Sequence, residues 1–362
     1  MGFASGFRLP LHVVQHGAAK VASRLGILPR PIPFFVLKVT DVCNARCETC
    51  NVGVPGAHRS SATLPLSVAT AIVEEMARRK TLFAGIVGGE PLLYKHVYEV
   101  LELCSRAGIR TNLNTHGGFI TPDVARRLAT VGLSYISISL DYPDAMRNEA
   151  VRKGVRYDAV MHGIRAMKAE SPATAVSLGM TLTRHNIGEV RAMCQLAARE
   201  GVRYLKFQPF HSHLDQLTHS PDLRGEMALS SGDLPRLQDE LRGAERDARE
   251  LGLLTNARLL LQELPAALEG RRTLPCVAGQ QILFIEPSGR VGGCPEKRSR
   301  GSLADVDLDT LMESEPEVFA FAATCPVLPG CFDTTYGELS HVIGRNDLRR
   351  TLDVIDRVLF YR

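Results

Sequence analysis

From Phe34 to about Phe210 the chain alternates between short apolar stretches and longer amphipathic ones. The short stretches, 34–40, 82–87, 109–115, 134–140, 176–183 and 203–208, are often β-branched and read as strands. The longer ones, 67–79, 95–107, 121–130, 157–170 and 188–199, carry apolar residues at helical spacing. Several helices stop at a glycine, as in Ala107-Gly108, Val131-Gly132 and Glu200-Gly201. Six strands joined by helices predict an α/β fold with a parallel sheet and right-handed crossovers. Functional residues of such a sheet belong at the C-terminal ends of its strands.

That edge is where the chain places its densest chemistry. The run Cys43-Asn44-Ala45-Arg46-Cys47-Glu48-Thr49-Cys50 follows the first strand. Three thiolates so close suit three irons of one [4Fe–4S] cube, leaving a fourth iron open to a small molecule. Gly88-Gly89-Glu90-Pro91 follows the second strand, with two glycines that let backbone approach a ligand and one carboxylate.

The spacing CxxxCxxC, followed by Gly88-Gly89-Glu90-Pro91 at the next strand end, resembles the radical S-adenosylmethionine (radical SAM) superfamily. The resemblance implies a partial (βα)6 parallel barrel. It implies that Cys43, Cys47 and Cys50 bind the cluster, and that Gly88, Gly89, Glu90 and Pro91 receive the methionine end of S-adenosylmethionine. Thr115 to Gly117 stands where the family has Thr-Asn-Gly, with His116 in place of Asn. Ser137 to Asp141 resembles the fourth-strand segment, so Ser139 is matched to the cofactor, and Arg147 to its carboxylate. Thr49 departs from the aromatic residue usual before the third cysteine, which leaves the adenine contact unassigned. The chemistry implied is reductive cleavage to methionine and a 5′-deoxyadenosyl radical, which takes a hydrogen atom from an unactivated carbon.

A second cysteine set lies further on. Cys276 and Cys294 frame Gly289 as Cys-x12-Gly-x4-Cys, with two strand patterns, Gln281 to Glu286 and Gly289 to Cys294, joined as a hairpin. Cys325 and Cys331 follow in a turn-rich loop. The opening resembles the SPASM extension or its shorter twitch form, which implies a second, auxiliary [4Fe–4S] cluster on all four thiols. Structural zinc is the alternative for four thiolates. Cys104 and Cys194 fall on apolar helix faces and read as small buried hydrophobes, with a hydrogen-donating thiol as the alternative.

At 362 residues the chain has room for a large α/β domain plus a smaller unit. The domain reading is a helical leader over 1–33, the barrel over 34–215, a linker and helix over 216–270, the twitch/SPASM-like hairpin domain over 271–345, and a closing helix over 346–362. The leader helix ends in Pro29-Arg30-Pro31-Ile32-Pro33 and is expected to pack on the main domain, membrane contact being the alternative. Asp233 is expected to cap a helix that runs to Leu251 and stops at Gly252. A net charge of +4 without a Lys/Arg run argues against nucleic acid. No stretch approaches the roughly 18 apolar residues of a membrane helix, and no signal-peptide pattern opens the chain. The expected location is therefore cytoplasmic, where cysteines at tight spacing serve as metal ligands. Nine cysteines, an odd number, also fit a closed disulfide set poorly.

Gln208, His211 and His213, at or beyond the last strand end, are candidates for substrate contact or proton transfer. Lys297, Arg298 and Arg300 read as a solvated loop. The expected function is a dehydrogenase-like oxidoreductase acting on a small molecule such as a sugar-like one, with flavodoxin or ferredoxin as electron donor. A redox-neutral epimerase or bond-forming enzyme, and a modifier of ribosomal peptides, are the alternatives.

Overall fold

The computed structural model describes residues 22–23, 25–26, 29–50, 61–210, 225–271, 275–295, 297–320 and 325. The strands are β1 Phe34–Thr40, β2 Arg46–Cys47, β3 Phe83–Gly88, β4 Arg110–Thr115, β5 Tyr135–Ser139 and β6 Arg152–Lys153. They continue as β7 Ala175–Leu182, β8 Tyr204–Pro209, β9 Leu254–Thr255, β10 Ile282–Ile285, β11 Arg290–Cys294 and β12 Lys297–Ser302. Ten of them form one sheet in the order β12-β11-β10-β1-β3-β4-β5-β7-β8-β9, and β2 pairs with β6 apart from it. All pairings from β10 to β9 are parallel, and β11 and β12 run antiparallel. The six expected strands are all present, joined by helices Leu66–Arg78, Val97–Arg106, Pro122–Thr130, Tyr157–Glu170 and Val190–Arg199.

Alternation along each strand divides the sheet into two faces. On β1, Phe35, Leu37 and Val39 are buried, while Phe34, Val36 and Lys38 are half-buried. The buried set joins Ala84, Ile86, Leu113, Ile136, Ile138, Leu178 and Met180 in one apolar cluster. Helix Leu66–Arg78 adds Ile72, Val73 and Met76 to it. Each fully buried aliphatic side chain contributes about 1.5–3 kcal/mol, so the helix-covered face drives the fold. The opposite face is half-open and largely polar in its middle. Asn114, Ser137, Ser177 and Tyr204 stand in register across it, followed one pleat later by Ser139, Gly179 and Lys206.

β10 lies parallel to β1, with Phe34 opposite Ile282 and Leu37 opposite Ile285. Val277, just before β10, packs with Ile282 against Phe34 and Val36. β11 then turns back, placing Val291 opposite Ile285 and Gly292 opposite Phe284. Cys294 therefore falls beside the start of β10, the end opposite to the Cys43–Cys50 loop.

Some local expectations change. Asp233 does not cap the helix Leu234–Leu251 with its side chain. A turn over Ser231–Asp233 precedes the helix, and Ser230 caps it, forming a reciprocal box with Asp233. The sequence marked Asp233 because it is the last cap-type residue before the apolar pattern, but the box extends the start by one turn. Gly252 ends the helix at φ 67°, as expected. Lys297, Arg298 and Arg300 form β12 rather than a loop, and Arg298 and Arg300 face Glu286 and Glu315. An edge strand without apolar alternation leaves no periodic signal. Helices Ala145–Val151, Ala257–Leu268, Leu308–Ser314 and Pro316–Phe319 and the short strand β9 complete the helices and strands of the described residues. No described helix is long and apolar enough to cross a membrane. Most of the 1–33 leader and the 346–362 helix lie outside the described residues.

Candidate active site

β1 delivers the cysteine loop. At its end the Thr40 hydroxyl accepts the Val42 N–H at 3.0 Å, which turns the chain out of the sheet. The Ala45 N–H points at the Cys43 sulfur at 3.4 Å, and Cys50 N donates to Cys47 O at 3.3 Å. All three thiols are half-buried. Burial pushes the Cys43 thiol up to about 11. It raises Cys47 too, opposed by the Arg152 guanidinium. Metal must therefore displace these protons on binding.

β3 supplies the second wall. Gly89 N donates to Thr40 O at 2.7 Å and Glu90 N to Val42 O at 2.8 Å, so the two loops are laced together by backbone. A Cβ on Gly88 would stand 2.6 Å from Thr40 O, and one on Gly89 would stand 2.3 Å from Val42 O. The two glycines thus admit the cysteine loop itself, a neighbour the sequence did not identify.

Glu90 is wholly buried. Its carboxylate accepts Leu92 N at 3.0 Å, the Thr115 hydroxyl at 2.7 Å and His116 N at 2.9 Å. Pro91 opens the short 3-10 turn that aims Leu92 N at it. His116 continues the chain of contacts. Gly118 N–H donates to its Nδ1 at 3.0 Å, so the neutral ring carries its proton on Nε2. That proton faces Asn44 Oδ1 at 2.9 Å, with Glu90 Oε2 at 3.3 Å. Burial holds the His116 pKa below its usual value, against the pull of Glu90. The His in place of Asn therefore reaches into the cysteine run and fixes Asn44, the residue after Cys43.

β5 brings a third group. Asp141 follows it and binds Arg152 through Nη2–Oδ1 at 3.0 Å, with Nε and Oδ2 at 2.8 Å in a close but poorly aligned contact. β6 pairs Arg152 with Cys47. Arg152 escaped sequence reasoning, because one Arg beyond a helix has no periodic or motif signal. Ser139 is half-buried at the end of β5, in register with Gly179. Arg147 is exposed and bonded to Asp144 at 2.6 Å and to Glu189. The structure does not bring it to the cysteine loop's Cys47–Arg152 contact.

Gln208 ends β8, half-buried, opposite Thr181, with its amide donating to Pro209 O at 3.0 Å. His211, His213 and Cys331 lie outside the described residues. Cys276, Cys294 and Cys325 are half-buried. Cys104 and Cys194 are fully buried, and burial pushes both thiols up to about 12, as small core residues.

The three cysteines lie on one partly open loop at the C-terminal edge of a parallel sheet, and backbone hydrogen bonds tie that loop to the one carrying the buried Glu90. Three thiolates are the donor type an iron–sulfur cube takes, although no three metal-binding side chains converge among the described residues. Residues 37–197 match the family described as the Radical SAM superfamily. That match covers less than half of the chain and agrees with the resemblance carried by the cysteine spacing.

Mycofactocin maturase MftC of Mycobacterium tuberculosis is 25% identical over 260 residues, 71% of this chain and 63% of that protein. The chain thus spans less than two thirds of that relative. Fe-coproporphyrin III synthase of Methanosarcina barkeri is 24% identical over 200 residues, 55% of this chain and 47% of that one. Among solved structures, Streptococcus suis SuiB bound to S-adenosylmethionine aligns with a TM-score of 0.65 at 17% identity, covering 88% of this chain and 75% of that chain. The enzyme anSMEcpe with bound AdoMet aligns at 0.64 and 16% identity, over 83% and 85%. At these identities the structural likeness shows a shared fold.

Proposed function

We propose that this chain cleaves S-adenosylmethionine reductively and uses the 5′-deoxyadenosyl radical to oxidise a small polar molecule by two electrons. One observation carries the reading: the loop that bears Cys43, Cys47 and Cys50 is hydrogen-bonded through Val42 and Asn44 to the unit formed by Glu90, Thr115 and His116. A cluster there supplies the electron and an open iron for the amino and carboxylate groups of S-adenosylmethionine. The chain's own part is to orient and exclude. Gly88 to Pro91 and Thr115 shape the wall next to the cluster, and Ser139 stands at the neighbouring strand end.

The half-open polar face, with Asn114, Ser137, Ser139, Ser177, Lys206 and Gln208, supports a hydrogen-bonding substrate. Gln208 is its reading at the β8 end, and His211 and His213 remain the nearby candidates for moving a proton. Cys276, Cys294, Cys325 and Cys331 are proposed to hold the second cluster of a twitch-like unit, which supplies an acceptor for the second electron. A flavodoxin or ferredoxin is the proposed donor and the cytoplasm the proposed location. A peptide substrate is a second reading, favoured by the precursor peptide SuiA bound to SuiB in a chain of the same fold.

The test is iron and sulfide content after anaerobic reconstitution, with 5′-deoxyadenosine formation under a reductant. Wild type and a Cys43/Cys47/Cys50→Ala variant are compared. About eight irons falling to about four, in units of one cube, with 5′-deoxyadenosine lost, supports both clusters. About four falling to none removes the second cluster and the two-electron oxidation. No iron in the wild type overturns the proposal.

A further inference from the structure

We propose that Arg152 sets the reduction potential of the cluster on Cys43, Cys47 and Cys50, as a fixed positive charge against Cys47. The inference rests on the reading of those cysteines as cluster ligands. The Arg152 side chain is 9% exposed. It sits in β6 directly opposite Cys47 of β2, where its positive charge favours the Cys47 thiolate. The Glu48 N–H to Val151 O bond at 2.8 Å locks that pairing.

The far side of the guanidinium is held by Asp141, which cannot follow it if it moves. Asp141 Oδ1 accepts the Thr181 N–H at 2.8 Å, and Asp141 N donates to Asn148 Oδ1 at 3.0 Å. Helix, strand and acid together hold one cation against one thiol. Reduction adds a negative charge to a cluster already surrounded by thiolates. A buried, weakly screened cation paired beside a ligand cysteine favours that added electron. Asp141 offsets part of this charge. Arg152 is the ladder partner of Cys47 and Asp141 is held behind it, so the net effect keeps the sign of the cation. Arg152 acts through Cys47 and is a positioning residue.

The experiment is a potentiometric titration followed by electron paramagnetic resonance on reconstituted full-length protein, without S-adenosylmethionine. The signal followed is the one absent from the Cys43/Cys47/Cys50→Ala variant. Arg152→Gln is expected to cut the reduced-to-oxidised ratio at fixed potential about tenfold, which is about 59 mV for one electron. Arg152→Lys is expected to fall less. Asp141→Asn, which frees the cation from its counter-charge, is expected to shift the potential upward. Opposite shifts separate an electrostatic role from a structural one, since loosening the loop moves both variants alike.

An unchanged potential in Arg152→Gln, or shifts of the same sign in the two variants, overturns the inference. So does a shift seen only after S-adenosylmethionine is added. If Arg152→Gln retains no cluster, Asp141→Asn decides alone: a raised potential supports the inference and any other result overturns it. Absence of the signal from wild type overturns the cluster reading, and is thereby distinguishable from failure of the inference on an intact cluster.

Discussion

The Thr115 hydroxyl donates to the Glu90 carboxylate at 2.7 Å, with both side chains shut away from solvent. The contact ties the end of β4 to the end of β3. Thr115 Oγ1 in turn accepts the Gly117 N–H at 3.0 Å, so the loop after β4 is shaped by the same hydroxyl.

Glu90→Gln replaces one acceptor oxygen by an N–H₂ in a pocket where Leu92 N, Thr115 Oγ1 and His116 N all donate. One buried donor then meets another donor, at a cost of about 1–3 kcal/mol. Urea unfolding is expected to show a lower midpoint with unchanged slope. An unchanged midpoint would mean that the carboxylate's bonds contribute nothing net.

Gly89→Ala and Gly85→Ala are expected to differ sharply. The first pushes a Cβ to 2.3 Å from the Val42 carbonyl oxygen, a backbone atom that must shift. Overpacking of this kind costs about 1–3 kcal/mol and is expected to lower iron retention. At Gly85 the nearest atom is Val36 Cγ2 at 3.8 Å, an ordinary contact. That variant is expected to match or exceed wild-type stability, by roughly 0.5–1 kcal/mol as mid-strand glycine is relieved. Thermal melting of both variants checks the contrast.

Acid should weaken the fold through His116. Its folded pKa is lowered by burial, so the unfolded chain binds the extra proton first as pH falls. The neutral ring's contribution is intact above the unfolded value of about 6.5 and is lost as pH drops below it, down to the folded pKa. The slope is at most about 1.4 kcal/mol per pH unit. Urea midpoints from pH 7.5 to 5 should fall in wild type and fall less in His116→Gln.

Arg79 and Arg78 test burial against exposure. The Arg79 side chain is fully buried and meets Glu75 and Asp309 at 2.5 Å each and Arg30 O at 3.0 Å. Arg79→Met leaves Arg30 O without its buried donor and takes one of two cations from each acid, and is expected to cost about 1–3 kcal/mol. Arg78 contacts the same two acids at 2.7 Å from a largely exposed position. Arg78→Met should cost no more than about 1 kcal/mol. Equal losses in thermal melting would contradict this reading.

The parallel strands and helices were legible because each has its own pattern: 34–40 is a short apolar run, and 157–170 keeps one apolar stripe. The place of Cys43, Cys47 and Cys50 just after the first strand was legible too. The Glu90 hub was only half legible. Its residue was found, but its Thr115, His116 and Asn44 partners depend on loops from three strands converging, which no local pattern encodes. Arg152 illustrates the limit. Its meaning comes from β6 lying against β2, a pairing of two residues each, too short to leave a signal. β12 was missed for a related reason: Lys297–Ser302 lies at the sheet's edge and carries salt bridges instead of apolar alternation.

The pairing of β10 with β1 turns one strand into a ruler. Cys43 follows the C-terminal end of β1, while β11 returns Cys294 to the level of its beginning. Seven residues of strand span about 20 Å at 3.3 Å per residue. The spacing between the two thiol groups is thus dictated by covalent length and a hydrogen-bonded ladder, not by a flexible loop. Drift in the surrounding sequence can change the side chains along the sheet without altering how far apart the two ends of β1 stand.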